Sequence, residues 1–113
     1  MRNLVAVVLL CCAAQCAERF IDMVHLGSAR SEADKESKGK SVKLVVVVGS
    51  KASYVLKCNE GEKTCKTPDV GTDYTLVSNS DLDVYECENV ALAIPRTVSY
   101  RGVYCLVETQ PNN

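Results

Sequence analysis

The cysteines constrain this chain more than any other feature of its sequence. Seven occur among the 113 residues, and three of them lie in an N-terminal apolar segment: Cys11, Cys12 and Cys16. The other four are Cys58, Cys65, Cys87 and Cys105. An even number in an oxidising compartment predicts two disulfides, and the sequence leaves all three pairings open. A four-cysteine zinc site is the alternative, but the paired C-x2-4-C spacing typical of such sites is missing.

Residues 1–17 have the three parts of a secretory signal peptide. Arg2 supplies positive charge, an apolar run extends from Leu4 to Ala14, and small residues follow up to Ala17. This run is shorter than the roughly 20 residues that a membrane-spanning helix needs. We therefore predict cleavage near residue 17, secretion to the extracellular space and no membrane anchor. A buried N-terminal helix is the alternative.

The charge of the mature chain disfavours some partners. Loss of Arg2 with the signal peptide leaves 12 basic and 14 acidic side chains. Nucleic-acid binding and adhesion to anionic membranes both depend on clustered basic charge. We therefore expect neither partner.

Composition divides the rest of the chain into three segments. Residues 27–41 contain no apolar side chain larger than alanine, and such segments cannot bury enough surface to offset the entropy of ordering. We therefore expect 18–41 to be a flexible N-terminal segment or pro-segment, in which residues 19–26 could form a short helix or a strand. Residues 42–108 form the predicted β domain, and 109–113 form a polar tail.

Runs of β-branched and alternating residues predict the strands of this domain. They cover 42–48, 53–58, 73–78, 82–87, 90–94 and 97–108. The fifth run ends at Pro95, which suits an edge strand or a bulge, and Gly102 predicts a bulge or a close backbone approach. Short strands separated by turns indicate an all-β fold, either a small disulfide-stabilised antiparallel β-sandwich or a small barrel of five to six strands.

No catalytic or metal-binding constellation is visible in the sequence. The single histidine, His25, precedes the polar segment, and the four later cysteines are better explained as disulfides than as nucleophiles. Acidic residues occur in turns, where solvated charge is the ordinary explanation. We expect no enzymatic activity, no cofactor and no metal.

The segment Asp81-Leu82-Asp83-Val84-Tyr85-Glu86-Cys87 resembles the D-x-G-x-Y-x-C signature of immunoglobulin-fold domains. Residues 97–105 are similar to the last strand in the ectodomains of the invariant signalling chains of the T-cell receptor complex. The resemblance implies an immunoglobulin-like sandwich. It also implies a bridge from Cys58 to Cys87, which leaves Cys65 to pair with Cys105.

These observations predict a secreted binding module that engages an unknown extracellular protein. Tyr100 and Tyr104 are candidate contact residues, because tyrosine combines a large contact area with one polar tip. Packing in the core is the alternative for both. A secreted toxin, effector or inhibitor-like disulfide protein is a second hypothesis for the function, and an extracellular matrix component is a third.

Overall fold

The computed structural model describes residues 18–33, 40–97 and 99–112. The predicted signal peptide lies outside the described residues. Six strands account for most of the described chain: β1 (Glu18–Ala33), β2 (Ser41–Gly49), β3 (Ala52–Asn59), β4 (Asp73–Asn79), β5 (Asn89–Ala93) and β6 (Tyr100–Pro111).

The six strands form one antiparallel sheet that closes on itself. Their order around the barrel is β1-β2-β3-β6-β5-β4, and pairing of β1 with β4 completes the ring. The predicted all-β class is therefore confirmed, and of the two predicted architectures the structure has the small barrel. Two packed sheets, which the immunoglobulin resemblance implied, do not occur among the described residues.

β1 corrects the expectation that residues 18–41 are a flexible segment. Residues 18–25 of this strand pair with β4, and residues 24–33 pair with β2. Asp22 and Val24 point into the barrel, whereas every residue from 27 to 33 is exposed. The exposed half forms a strand because its backbone completes a ladder with the β-branched run of β2. Residues 34–39 lie outside the described ranges.

Two other boundaries differ from the prediction, and so does one of the two alternatives predicted for β5. Residues 82–87 form an irregular loop instead of a strand. The expected polar tail is largely part of β6, whose last residues pair with the start of β3. β5 is not an edge strand, because β4 and β6 flank it and all five of its residues are buried. The predicted alternative, a bulge, agrees with the register shift between Leu92 and Ala93. Pro95 lies just after β5, where it removes no ladder hydrogen bond.

Gly102 behaves as predicted. The pairing of β5 with β6 shifts register beside it, which marks a bulge. A Cβ atom at this position would lie 2.6 Å from the hydroxyl oxygen of Tyr104 and 2.9 Å from the backbone oxygen of Thr64. Both parts of the prediction are confirmed, because the chain bulges here and another segment approaches it closely.

Side chains from all six strands fill the interior of the barrel. The largest fully buried ones are Tyr74, Tyr104, Leu56, Leu76 and Leu92. Burial of each such side chain contributes on the order of 2 kcal/mol to folding. A second, smaller cluster of Val77, Ala91 and Val103 packs with Leu82 and Tyr100. The loop after β4 therefore packs onto the barrel through Leu82.

Candidate functional site: two disulfide-anchored loops

The structure pairs Cys58 with Cys65 and Cys87 with Cys105, at Cα–Cα distances of 5.3 and 5.7 Å. The pairing of Cys58 with Cys87 and of Cys65 with Cys105, which the resemblance implied, is therefore wrong. The chain turns back immediately after β3, which brings Cys65 to Cys58. Cys105 lies opposite Asn89 at the start of β5, close to the end of the loop that carries Cys87.

Each disulfide fixes one loop. The first loop, residues 60–72, connects β3 to β4, and the Cys58–Cys65 bridge closes its beginning. The second loop, residues 80–88, connects β4 to β5, and the Cys87–Cys105 bridge ties its end to β6. The backbone N–H of Leu106 also donates a 3.0 Å hydrogen bond to the carbonyl of Glu88. Both loops are therefore held close to β-strands.

The side chain of Asn89, at the start of β5, forms hydrogen bonds with the backbone of the second loop. Its Oδ1 accepts hydrogen bonds from the backbone N–H groups of Val84 and Tyr85, at 3.2 and 2.9 Å. Its Nδ2 donates to the backbone oxygens of Tyr85 and Cys87, both at 2.9 Å. Asn89 is only 9% exposed, so these contacts satisfy an amide that would otherwise be costly to bury. They give the irregular backbone of the loop a defined shape.

Tyr85 joins the two loops. Its hydroxyl oxygen accepts a 3.2 Å hydrogen bond from the backbone N–H of Asn59, the last residue of β3, which directly precedes the first loop. Burial raises the pKa of Tyr85, the hydrogen bond from Asn59 lowers it, and the nearby negative charge of Glu62 raises it further. Tyr85 also packs against the barrel core. The two loops therefore form one continuous surface.

This surface is acidic. It carries seven exposed acidic side chains, of which Asp69 pairs with Arg101. We define the other six as the acidic loop surface: Glu60, Glu62, Asp81, Asp83, Glu86 and Glu88. The second loop contains no basic residue, and the first contains two exposed lysines, Lys63 and Lys66, so acidic side chains outnumber basic ones on the joint surface. The ion pairs found within the described ranges, Arg30–Glu32 and Arg101–Asp69, use none of the six. Their negative charge is therefore directed to solvent.

Apolar surface and a shallow groove adjoin these carboxylates. Val84, in the middle of the second loop, is 39% exposed. A groove of about 600 Å³ runs along the same loop, and its lining includes Leu82, Asp83 and Tyr85 from the loop and Arg19 from β1. Acidic rims around apolar contact area are suited to a protein or peptide partner more than to a small molecule, which prefers an enclosed cavity.

The tyrosines predicted as contact residues lie elsewhere. Tyr104 is fully buried and its hydroxyl donates to the backbone oxygen of Lys66, so it is a core residue. Burial raises its pKa. Tyr100 is half-buried in the smaller apolar cluster, and its hydroxyl donates to Glu18 and accepts a 3.0 Å hydrogen bond from Asn79. The structure therefore corrects the contact prediction for Tyr104, whereas contact of Tyr100 with a partner stays a prediction.

Sequence reasoning missed two buried polar residues, Asn89 and Asp22. Asp22 is 1% exposed, and its carboxylate accepts hydrogen bonds from Met23, Ser50, Lys51 and Tyr54. Burial alone would raise its pKa, but these hydrogen bonds outweigh it and lower the pKa to about 2. The available signal was spacing: Asp22 is two residues from the apolar Val24, so both side chains lie on the same face of a strand, and that face is the interior.

The remaining possibilities for chemistry are limited. In the described part of the chain, no group of three His, Cys, Asp or Glu side chains is arranged to hold a metal ion. His25 is exposed on β1, opposite Val48 and Asp73. Over the same residues, no helix has the length and apolar character to cross a membrane.

No protein-family model, curated protein or solved structure matches this chain.

Proposed function

We propose that this protein is a secreted extracellular binding module that engages a basic protein ligand through the acidic loop surface. One observation carries the proposal. Two disulfides and the Asn89 hydrogen bonds fix the loops, whereas the six outward carboxylates have no ion-pair partner among the described residues. Secretion is supported by the two disulfides together with the predicted signal peptide.

A fixed loop surface favours binding on entropic grounds. Association of proteins is opposed by the ordering of loops and side chains at the interface. Here the covalent bridges and the hydrogen bond from Asn59 to Tyr85 order the backbone before any ligand arrives. The exposed carboxylates would then attract Lys and Arg side chains of the ligand, which accelerates association and selects for basic partners.

A secreted effector or inhibitor-like protein is the second candidate. The observation that favours it is the local pairing of the cysteines, in which each bridge ties a loop to a neighbouring strand and neither links two packed sheets. This class of protein also acts by binding, and it would use the same surface. The two candidates differ in the consequence of binding, which is loss of the ligand's activity for an effector or inhibitor.

The location of the binding surface is tested with two matched variants. The test variant combines Asp83→Asn and Glu86→Gln, which removes two charges from the second loop. The control variant combines Asp73→Asn and Glu108→Gln, which removes the same charge from other exposed positions. Binders are selected against the wild-type chain from a phage-displayed peptide library, and their affinities for the three proteins are compared by biolayer interferometry.

We expect the selected peptides to be rich in Lys and Arg. The test variant should weaken their binding at least about tenfold, mainly through slower association, because exposed charges at an interface act chiefly on the association rate. The control variant should change it less than about twofold. Equal losses in both variants, or selected peptides without basic residues, would show that the acidic loop surface is not the binding site.

A further inference from the structure

β1 has an unpaired edge. β4 follows this strand only as far as His25, whereas β2 follows it on the other side as far as Ala33. Residues 26–33 therefore have a backbone partner on one side only, within the ranges that the structure describes. Every side chain from Gly27 to Ala33 is exposed, so no described segment covers this edge. An open strand edge is a template for pairing with another strand.

The side chains along this edge favour close approach. Apart from Arg30 and Glu32, residues 27–33 are glycine, serine and alanine. Arg30 and Glu32 are two residues apart and so lie on the same face of the strand, where Arg30 Nε lies 3.0 Å from Glu32 Oε1. The edge therefore presents one positive and one negative charge, in a fixed order along the chain.

We propose that a second copy of this chain pairs with this edge, antiparallel and about a two-fold axis at Ser31. This register places Arg30 of each copy opposite Glu32 of the other, and it places Ala29 opposite Ala33. An axis at Arg30 or at Glu32 would instead place like charges opposite each other, which destabilises a strand pair. An axis between residues would leave both charges opposite neutral side chains. The order of the two charges therefore selects the Ser31 register.

The expected dimer is weak. A single strand pair with small side chains buries less surface than the roughly 1,200 Å² of a stable interface. Its specificity comes from backbone hydrogen bonds and from the two Arg30–Glu32 pairs across the axis. The dimer involves no residue of the acidic loop surface, so it is independent of the proposed ligand-binding function.

Sedimentation velocity of the full disulfide-bonded chain tests this proposal. Between about 10 μM and about 1 mM the weight-average sedimentation coefficient should rise toward that of a dimer. Arg30→Glu alone and Glu32→Arg alone should each lower the association constant at least about tenfold, because each places like charges opposite each other twice. The double variant Arg30→Glu with Glu32→Arg restores the opposite pairs, and we expect it to regain wild-type association.

Arg96→Glu, which changes an exposed charge on the turn after β5, is the matched control and should leave association unchanged. Thermal melts of all variants should coincide, since the substituted side chains are exposed. A wild-type chain that remains monomeric up to about 1 mM would overturn the proposal. Loss of association in the single variants without recovery in the double variant would overturn the Ser31 register.

Discussion

Replacement of Asp22 by Asn tests the main polar contact between β1 and the turn that joins β2 to β3. Oδ1 accepts from the backbone N–H of Met23 at 2.8 Å and from the Ser50 hydroxyl at 2.7 Å. Oδ2 accepts from the backbone N–H of Lys51 and from the Tyr54 hydroxyl, both at 2.9 Å. An Asn side chain has one acceptor oxygen. In either orientation its amide group faces a backbone N–H, and that donor loses its partner.

The magnitude follows from burial and from the pKa. A buried donor without a partner costs about 1–3 kcal/mol, and hydrogen bonds to a charged group contribute about 1.5–3 kcal/mol each. We therefore expect Asp22→Asn to lower the free energy of unfolding by about 3 kcal/mol at pH 7. For Asp22 the pKa falls from 3.8 to about 2 on folding. At about 1.4 kcal/mol per pH unit, this shift corresponds to about 2 kcal/mol.

The sign of the pH dependence follows from the lowered pKa. The stabilisation is fully present above the unfolded pKa of 3.8, and it is lost as the pH falls toward the folded pKa of about 2. The wild-type chain should thus lose about 2 kcal/mol between about pH 5 and about pH 2 that the Asp22→Asn variant does not lose. The difference in free energy of unfolding between wild type and Asp22→Asn should therefore be about 2 kcal/mol smaller at about pH 2 than at about pH 5.

Urea unfolding of the disulfide-bonded proteins at about pH 7, about pH 5 and about pH 2 measures these free energies of unfolding. Asp73→Asn is the matched control, since it makes the same chemical change at an exposed position and should cost less than about 0.5 kcal/mol. A cost of Asp22→Asn below about 1 kcal/mol at pH 7 would refute the hydrogen-bond argument. An equal loss of stability in Asp22→Asn at about pH 5 and about pH 2 would refute the role of the lowered pKa.

Three further substitutions have defined outcomes. Arg96 adopts a φ of 67°, so Arg96→Gly should raise the free energy of unfolding by about 0.5–1 kcal/mol in thermal melts; an unchanged stability would show that this backbone is unstrained. Tyr104→Phe removes the donor to the Lys66 carbonyl in the core and should cost about 1–2 kcal/mol by urea unfolding, whereas a cost near zero would contradict that hydrogen bond. The double variant Cys87→Ser with Cys105→Ser removes the bridge between residues 18 positions apart and should lower the free energy of unfolding by about 3 kcal/mol. Amide hydrogen exchange in the second loop should then become faster. Unchanged exchange would mean that Asn89 alone orders the second loop.

The sequence allowed much of the β domain to be predicted because the responsible signals are local. The β-branched run of β2 and the alternation of Tyr54, Leu56 and Cys58 in β3 are properties of consecutive residues. Gly102 is also a signal in a single residue, although the contacts that leave no room for a Cβ there come from Thr64 and Tyr104. Such signals require no knowledge of the neighbouring strands.

The candidate site was less predictable. Its acidic residues are visible in the sequence, but nothing local indicates that Tyr85 contacts Asn59 and so joins the two loops. The role of Asn89 depends on the conformation of the loop that it contacts, and no strand or helix pattern specifies that conformation. For Tyr104 the sequence left contact with a partner and packing in the core both open, and only closure of the barrel places this side chain in the interior.

The sequence by itself determined the all-β class, most of the strands, the number of disulfides and the excess of acidic side chains in the loops. The tertiary structure alone decided the disulfide pairing, the closure of the sheet and the inclusion of residues 18–33 in the barrel. The physical reason is the range of the interactions. Strand propensity and turn chemistry act between neighbours along the chain, whereas residues 27–33 of β1 are held by the backbone of β2, which their own small or charged side chains do not specify.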